Sequence, residues 1–78
     1  MITKNISGIS YWKIKATNII DNKIEVYLNG YLNENDEERM KLFVIDCDLS
    51  IINNISDYNN LINEIENFII NNVEEFKN

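Results

Sequence analysis

Between Lys23 and Leu32 the chain alternates without a break, and that period of two makes the segment a β-strand. Ile24, Val26, Leu28 and Leu32 take one side of such a strand, while Glu25, Tyr27, Asn29 and Tyr31 take the other. Towards the C-terminus the period changes. Tyr58, Leu61, Ile62, Ile65, Phe68, Ile69, Val73 and Phe76 fall on one helical stripe. A single helix covers only one face of a sheet, so the tyrosine side of Lys23–Leu32 is left without an internal partner. These two segments confine the chain to an α+β architecture with one open sheet face.

The flanking residues complete the outline. A first strand is expected from Ile9 to Ile19, with Trp12, Ile14 and Ala16 alternating against Tyr11, Lys13, Lys15 and Thr17. Asp21-Asn22 tolerates left-handed backbone and suits a tight hairpin turn into the second strand. Asn33 to Glu38 is too charged to bury and reads as a loop. A third strand from Arg39 to Asp46 would put Met40, Leu42 and Val44 inward, and Phe43, Ile45 and Cys47 outward. The apolar connection from Asp48 to Ser56 is expected to pack across an end of the sheet. Ser56 or Asp57 would cap the helix, which runs to about Glu75. The predicted fold is β-β-β-α: a three-stranded antiparallel meander with one C-terminal helix packed on one face. Residues 1–78 form a single domain, undivided by any linker or repeat.

Charge narrows the partners. Thirteen acidic residues against seven basic ones give a formal charge of −6. That field repels nucleic-acid phosphate and anionic membrane, and it suits docking onto a basic protein surface. No secretory leader or long apolar run is legible, which points to a cytoplasmic protein. The lone Cys47 rules out an internal disulfide. With no histidine, neither a Ser-His-Asp nor a Cys-His pair can be assembled, and Gly8 and Gly30 are too far apart to form a phosphate loop. Asp46-Cys47-Asp48 offers too few oxygen ligands for a metal. The reading is therefore a non-enzyme without catalytic residues, metal or cofactor.

Two surfaces remain as candidates for contact. The outer sheet face would carry Tyr11, Lys13, Lys15, Tyr27, Tyr31, Phe43 and Ile45, aromatic-rich as interface cores are. It would receive a partner protein or a second copy of the chain in a homodimer. Stacking of single-stranded nucleic acid on the same face is outweighed by the net charge. The second surface is acidic: Glu34, Asp36, Glu37 and Glu38 in the loop, with Glu64, Glu66, Glu74 and Glu75 on the helix, could imitate phosphates before a basic groove.

Three patches carry a resemblance: Ile9-Ser10-Tyr11-Trp12, Tyr27-Leu28-Asn29-Gly30-Tyr31-Leu32-Asn33-Glu34, and Glu74-Glu75-Phe76-Lys77. Together they resemble short accessory proteins encoded by phages and prophages of low-GC bacteria, often close to tail genes. The resemblance implies a viral origin and a role exercised by contact with a host or phage protein. Small acidic phage proteins include inhibitors of host nucleases and of CRISPR effectors, which this chain is similar to in charge and size. The expected function is a stoichiometric inhibitor of a host protein, such as a nucleic-acid-handling defence complex. The alternative is a structural or assembly component of the phage tail.

Overall fold

The computed structural model describes residues 1–54 and 57–77. In chain order the elements are β1 (Ile2–Ile6), β2 (Ile9–Ile20), β3 (Lys23–Tyr31), β4 (Lys41–Asp48), a 3₁₀ helix (Leu49–Asn54), α1 (Tyr58–Asn72) and a 3₁₀ turn (Glu74–Phe76). The strands form one antiparallel sheet in the order β1-β2-β3-β4. The α+β class stands as expected, but the sheet has four strands and not three. The additional strand is β1, whose five residues were too short to be read from periodicity. Ile2 is buried at its start, and the strand pairs through Ile2 with Trp12 and through Ile6 with Ile9.

Both hairpins in the first half turn on two left-handed residues, Ser7 (φ 52°) with Gly8 (φ 89°), and Asp21 (φ 49°) with Asn22 (φ 65°). Two consecutive positive φ angles match the right-handed twist of the flanking strands, so the Asp21-Asn22 turn is the tight hairpin that its residue types announced.

Cross-strand pairing decides which side chains share a face. Ile24 pairs with Cys47, Val26 with Ile45 and Leu28 with Phe43. Directly opposed residues point the same way, so β4 turns Phe43, Ile45 and Cys47 into the core. This reverses the expectation for that strand. Leu42 and Val44 lie on the outer face, Met40 is exposed just before the strand, Ile45 is buried, and Phe43 is partly buried against the core. A second correction lies in β2, where Ile14 pairs with Leu28 but Ala16 pairs with Tyr27. The extra residue, Lys15, is a β-bulge that switches the phase of the strand and sends Ala16 outward. Leu32 falls beyond β3 and is exposed.

The core gathers between the inner sheet face and α1. Trp12, Val26, Leu28, Ile65 and Ile69 have no exposed surface. Trp12 meets Phe43 at 5.3 Å and Phe76 edge-on at 5.2 Å, and the two phenylalanines meet at 5.7 Å. Its indole Nε1 donates to the Lys4 carbonyl at 2.9 Å, which ties β1 to the cluster. Gly30 sits opposite Trp12 because the ring lies over that backbone position and leaves no room for a side chain. Asp57 caps α1 by accepting from the Asn60 amide at 2.8 Å. The other expected cap, Ser56, lies outside the described residues, as does Ile55 of the connection. The helix stops at Asn72, before the expected Glu75, and the 3₁₀ turn that follows drives Phe76 into the core.

Candidate partner-binding face

The outer face is set by the same pairing. Tyr27 stands opposite Val44, Asn29 opposite Leu42 and Glu25 opposite Asp46. The half-buried Leu42 and the 51% exposed Val44 therefore lie along the outer side of β4, and Met40, 58% exposed, immediately precedes the strand. Isolated exposed apolar residues are ordinary, but two exposed ones flanking a half-buried leucine make a small patch. Beside the patch the half-buried Tyr27 donates its hydroxyl to Glu25 Oε1 at 2.6 Å. That bond, and the carboxylate charge with it, raises the Tyr27 pKa above the ordinary phenol value. Lys23 Nζ pairs with Asp46 Oδ2 at 3.0 Å at the far end of the face, and this partner raises the lysine pKa.

Of the aromatic residues expected here, Tyr11 and Tyr27 are half-buried and keep part of their surface open. Tyr31 is on this face but only 2% exposed. Lys13 covers it, with its ammonium 5.3 Å from the ring centroid and donating to the Glu34 carbonyl, so the loop is drawn over the tyrosine. Asn29 donates to the Tyr31 hydroxyl at 3.3 Å from a buried position. Tyr11, opposite Tyr31, is half-buried. Ile45 belongs to the core, and Phe43, partly buried, packs against it. The aromatic surface expected from the sequence is thus mainly structural, and an aliphatic patch replaces it.

The acidic loop joins that patch. Met40 donates its amide to the Gly30 carbonyl at 2.8 Å, which places the loop's end at the head of β4. Asn35, Asp36, Glu37, Glu38 and Met40 line an open cleft of about 430 Å³. Glu34, Glu37 and Glu38 are exposed. Asp36 is engaged within the loop: its Oδ2 accepts from the Asn33 amide at 3.1 Å and the Asn33 side chain at 3.3 Å. It shapes the loop while keeping its negative charge. On the helix side, Glu66 faces the Met1 ammonium and Glu74 lies 3.8 Å from Lys77.

Asp46 and Asp48 lie on the exposed side of the β4 edge, whereas Cys47 is buried among apolar neighbours. Burial, with the nearby Asp46 charge second, pushes the Cys47 thiol up to about 11. Asp48 Oδ1 accepts from the Ser50 amide at 2.9 Å, which lowers its pKa. Among the described residues no cluster of three or more His, Cys, Asp and Glu side chains is placed to hold a metal. Among them, too, no helix is long and apolar enough to cross a membrane. Sequence reasoning missed one further feature, an apolar groove of about 310 Å³ between the end of β2 and the start of α1, lined by Thr17, Asn18, Ile19, Ile24, Ile52 and Leu61. After the bulge at Lys15, Thr17 and Ile19 share the face of their partners Val26 and Ile24, with Ile19 still 62% exposed.

No known protein family, characterised protein or solved structure matches the chain.

Proposed function

We propose that this chain is a non-enzymatic binding protein that inhibits a host protein by covering one of its basic surfaces. The target class is a nucleic-acid-handling defence complex, and the acidic loop takes the place of its phosphates. One observation carries the reading: the acidic loop ends at the exposed Met40, directly before β4, whose outer side carries Leu42 and the exposed Val44. An apolar centre desolvates and holds a partner, while a charged rim steers approach and sets orientation. The formal charge of −6 reinforces the steering.

The test is capture and inhibition with the tagged chain in host lysate, followed by activity assays on the complexes retained. Reversing Glu34, Glu37 and Glu38 to Lys spares the loop-shaping Asp36. It should slow association by about tenfold or more and flatten its salt dependence. Inhibition by this variant equal to the parent's at low salt would refute electrostatic mimicry. A virion component is the second reading, favoured by the open lateral edge of β4. Mass spectrometry of purified particles separates the two: an inhibitor is absent from them, and a tail subunit is present in many copies.

A further inference from the structure

The pairing that sets β3 beside β4 also fixes the order of charges on their outer side. Along the strands, Asn29 stands beside Leu42, Tyr27 beside Val44, Glu25 beside Asp46 and Lys23 beside Asp48. The centre is uncharged: Leu42 and Val44, with Tyr27 and then Ala16 next to them. Beyond it the side chains turn acidic. Lys23 is the only base that β3 and β4 set on this side. Its charge is met by Asp46 at 3.0 Å, with Glu25 and Asp21 acting on it as well and Asp48 directly opposite. Four carboxylates around one ammonium leave that end negative. At the other end the chain reaches Met40 from Glu34, Asp36, Glu37 and Glu38, and only Arg39 and the Lys13 that covers Tyr31 stand against them. Lys41 is on the opposite side, paired with Gly30 and lying over Phe43. The face therefore runs acidic, apolar, acidic.

An occupant of this face meets side chains only, because the backbone bonds of β3 lie in the plane of the sheet and are taken up by β2 and β4. It must satisfy its own backbone, which a helix does and a lone strand does not. Carboxylates at both ends select cations at both ends, and the apolar centre selects an apolar stripe between them. Resting on the binding role proposed above, we infer that the element this face recognises is an amphipathic helix of the partner protein. That helix carries basic residues in its first and last turns and an apolar stripe between, and it lies along β4. Glu38 and Asp46 are eight residues apart, so the acidic ends are separated by at most about 28 Å, which a helix of about five turns spans.

The experiment is calorimetric titration of the purified chain with synthetic helical peptides of about five turns. The probe has arginines in its first and last turns and leucines on one stripe between them. A permuted control of equal composition has the leucines at the ends and the arginines in the middle, and a one-ended control has glutamines in place of the arginines of its last turn. The probe should bind about tenfold more tightly than either control. D46N/D48N retains an acceptor for the Ser50 amide and should weaken the probe to about the level of the one-ended control. Val44→Lys, at an exposed position, should weaken it about tenfold. Melting curves confirm that each variant folds. Equal binding of the probe and the permuted control overturns the inference, and so does a folded D46N/D48N that binds the probe as the parent does. The two failures are separable. A chain that inhibits a host complex but shows no preference for the probe refutes the helix and keeps the inhibitor. A chain that prefers the probe but inhibits nothing it captures refutes the inhibitor and keeps the helix.

Discussion

Gly30→Ala is the most direct test of how this core is assembled. Glycine in a strand interior ordinarily weakens it, so replacement by alanine should gain about 0.5–1 kcal/mol. The structure predicts the opposite sign. A Cβ at Gly30 would stand 2.5 Å from Trp12 Cζ3, 2.8 Å from Trp12 Cε3 and 2.8 Å from Ile9 Cγ2. Carbon atoms sit comfortably at about 3.5–4.0 Å, so the indole must move by roughly 1 Å. It has nowhere to go: the ring is fully buried, wedged by Phe43 and Phe76, and tethered through Nε1 to the Lys4 carbonyl. Overpacking costs about 1–3 kcal/mol, and weakening the indole hydrogen bond adds about 1 kcal/mol. After the conformational gain, a net loss of about 1–3 kcal/mol remains. In a domain of this size each kcal/mol moves Tm by about 4–8 °C, so Gly30→Ala should melt roughly 4–24 °C below the parent.

Thermal and urea unfolding followed by circular dichroism measure the loss, and Trp12 fluorescence reports displacement of the ring. Gly8→Ala is the control, since Gly8 has φ 89° and nothing within 4 Å of its Cβ position. Its cost is backbone strain alone, so Trp12 emission should stay unchanged. Trp12→Phe in the Gly30→Ala background should show favourable coupling, because the smaller ring admits the methyl group. Gly30→Ala at parental stability, or strict additivity with Trp12→Phe, would refute the packing argument.

Two further predictions follow from the face assignments and from Cys47. Tyr27→Ser should cost less than about 1 kcal/mol, as the residue projects from the outer face, whereas Phe43→Ala should cost about 2–4 kcal/mol by opening a cavity beside Trp12; chemical denaturation of the two variants checks this, and equal costs would overturn the phase of β4. The Cys47 thiol is held near pH 11 when folded and ionises at about 8.5 when unfolded. The folded state therefore binds the proton more tightly, and the stability it contributes is complete below about pH 8.5 and is lost as pH rises through about 11. Cys47→Ala should remove that part of the alkaline decline in urea midpoint, and native Cys47 should react with maleimide far more slowly than the unfolded chain.

Local pattern carried most of the architecture. The alternation of Ile24, Val26 and Leu28 settled β3, the stripe through Ile65 and Ile69 settled α1, and Asp21-Asn22 marked its turn. β1 escaped because Ile2-Thr3-Lys4-Asn5-Ile6 gives only two full periods, and its place in the sheet depends on Trp12, whose indole reaches back to Lys4. The bulge at Lys15 left no mark in composition either. Lys13-Ile14-Lys15-Ala16 reads as unbroken alternation, and only the partner strand shows that Ala16 lies opposite Tyr27 while Ile14 lies opposite Leu28.

The reversed phase of β4 explains why the candidate face had to be redrawn. Met40, Leu42 and Val44 compete with Phe43, Ile45 and Cys47 for the core, and each large side chain gains about 1.5–3 kcal/mol on burial. The two sums lie too close for hydrophobicity along the strand to choose between them. Contacts distant in sequence make the choice: Phe43 fits against both Trp12 and Phe76, and each aromatic pair adds about 0.5–1.5 kcal/mol that the other phase would forfeit. Phe76 arrives from the C-terminal turn and Trp12 from β2, so neither is visible from within β4. With the phase settled, the unused apolar set is forced outward beside the acidic loop. The partner face is the by-product of a strand apolar on both sides, which the core can use only once.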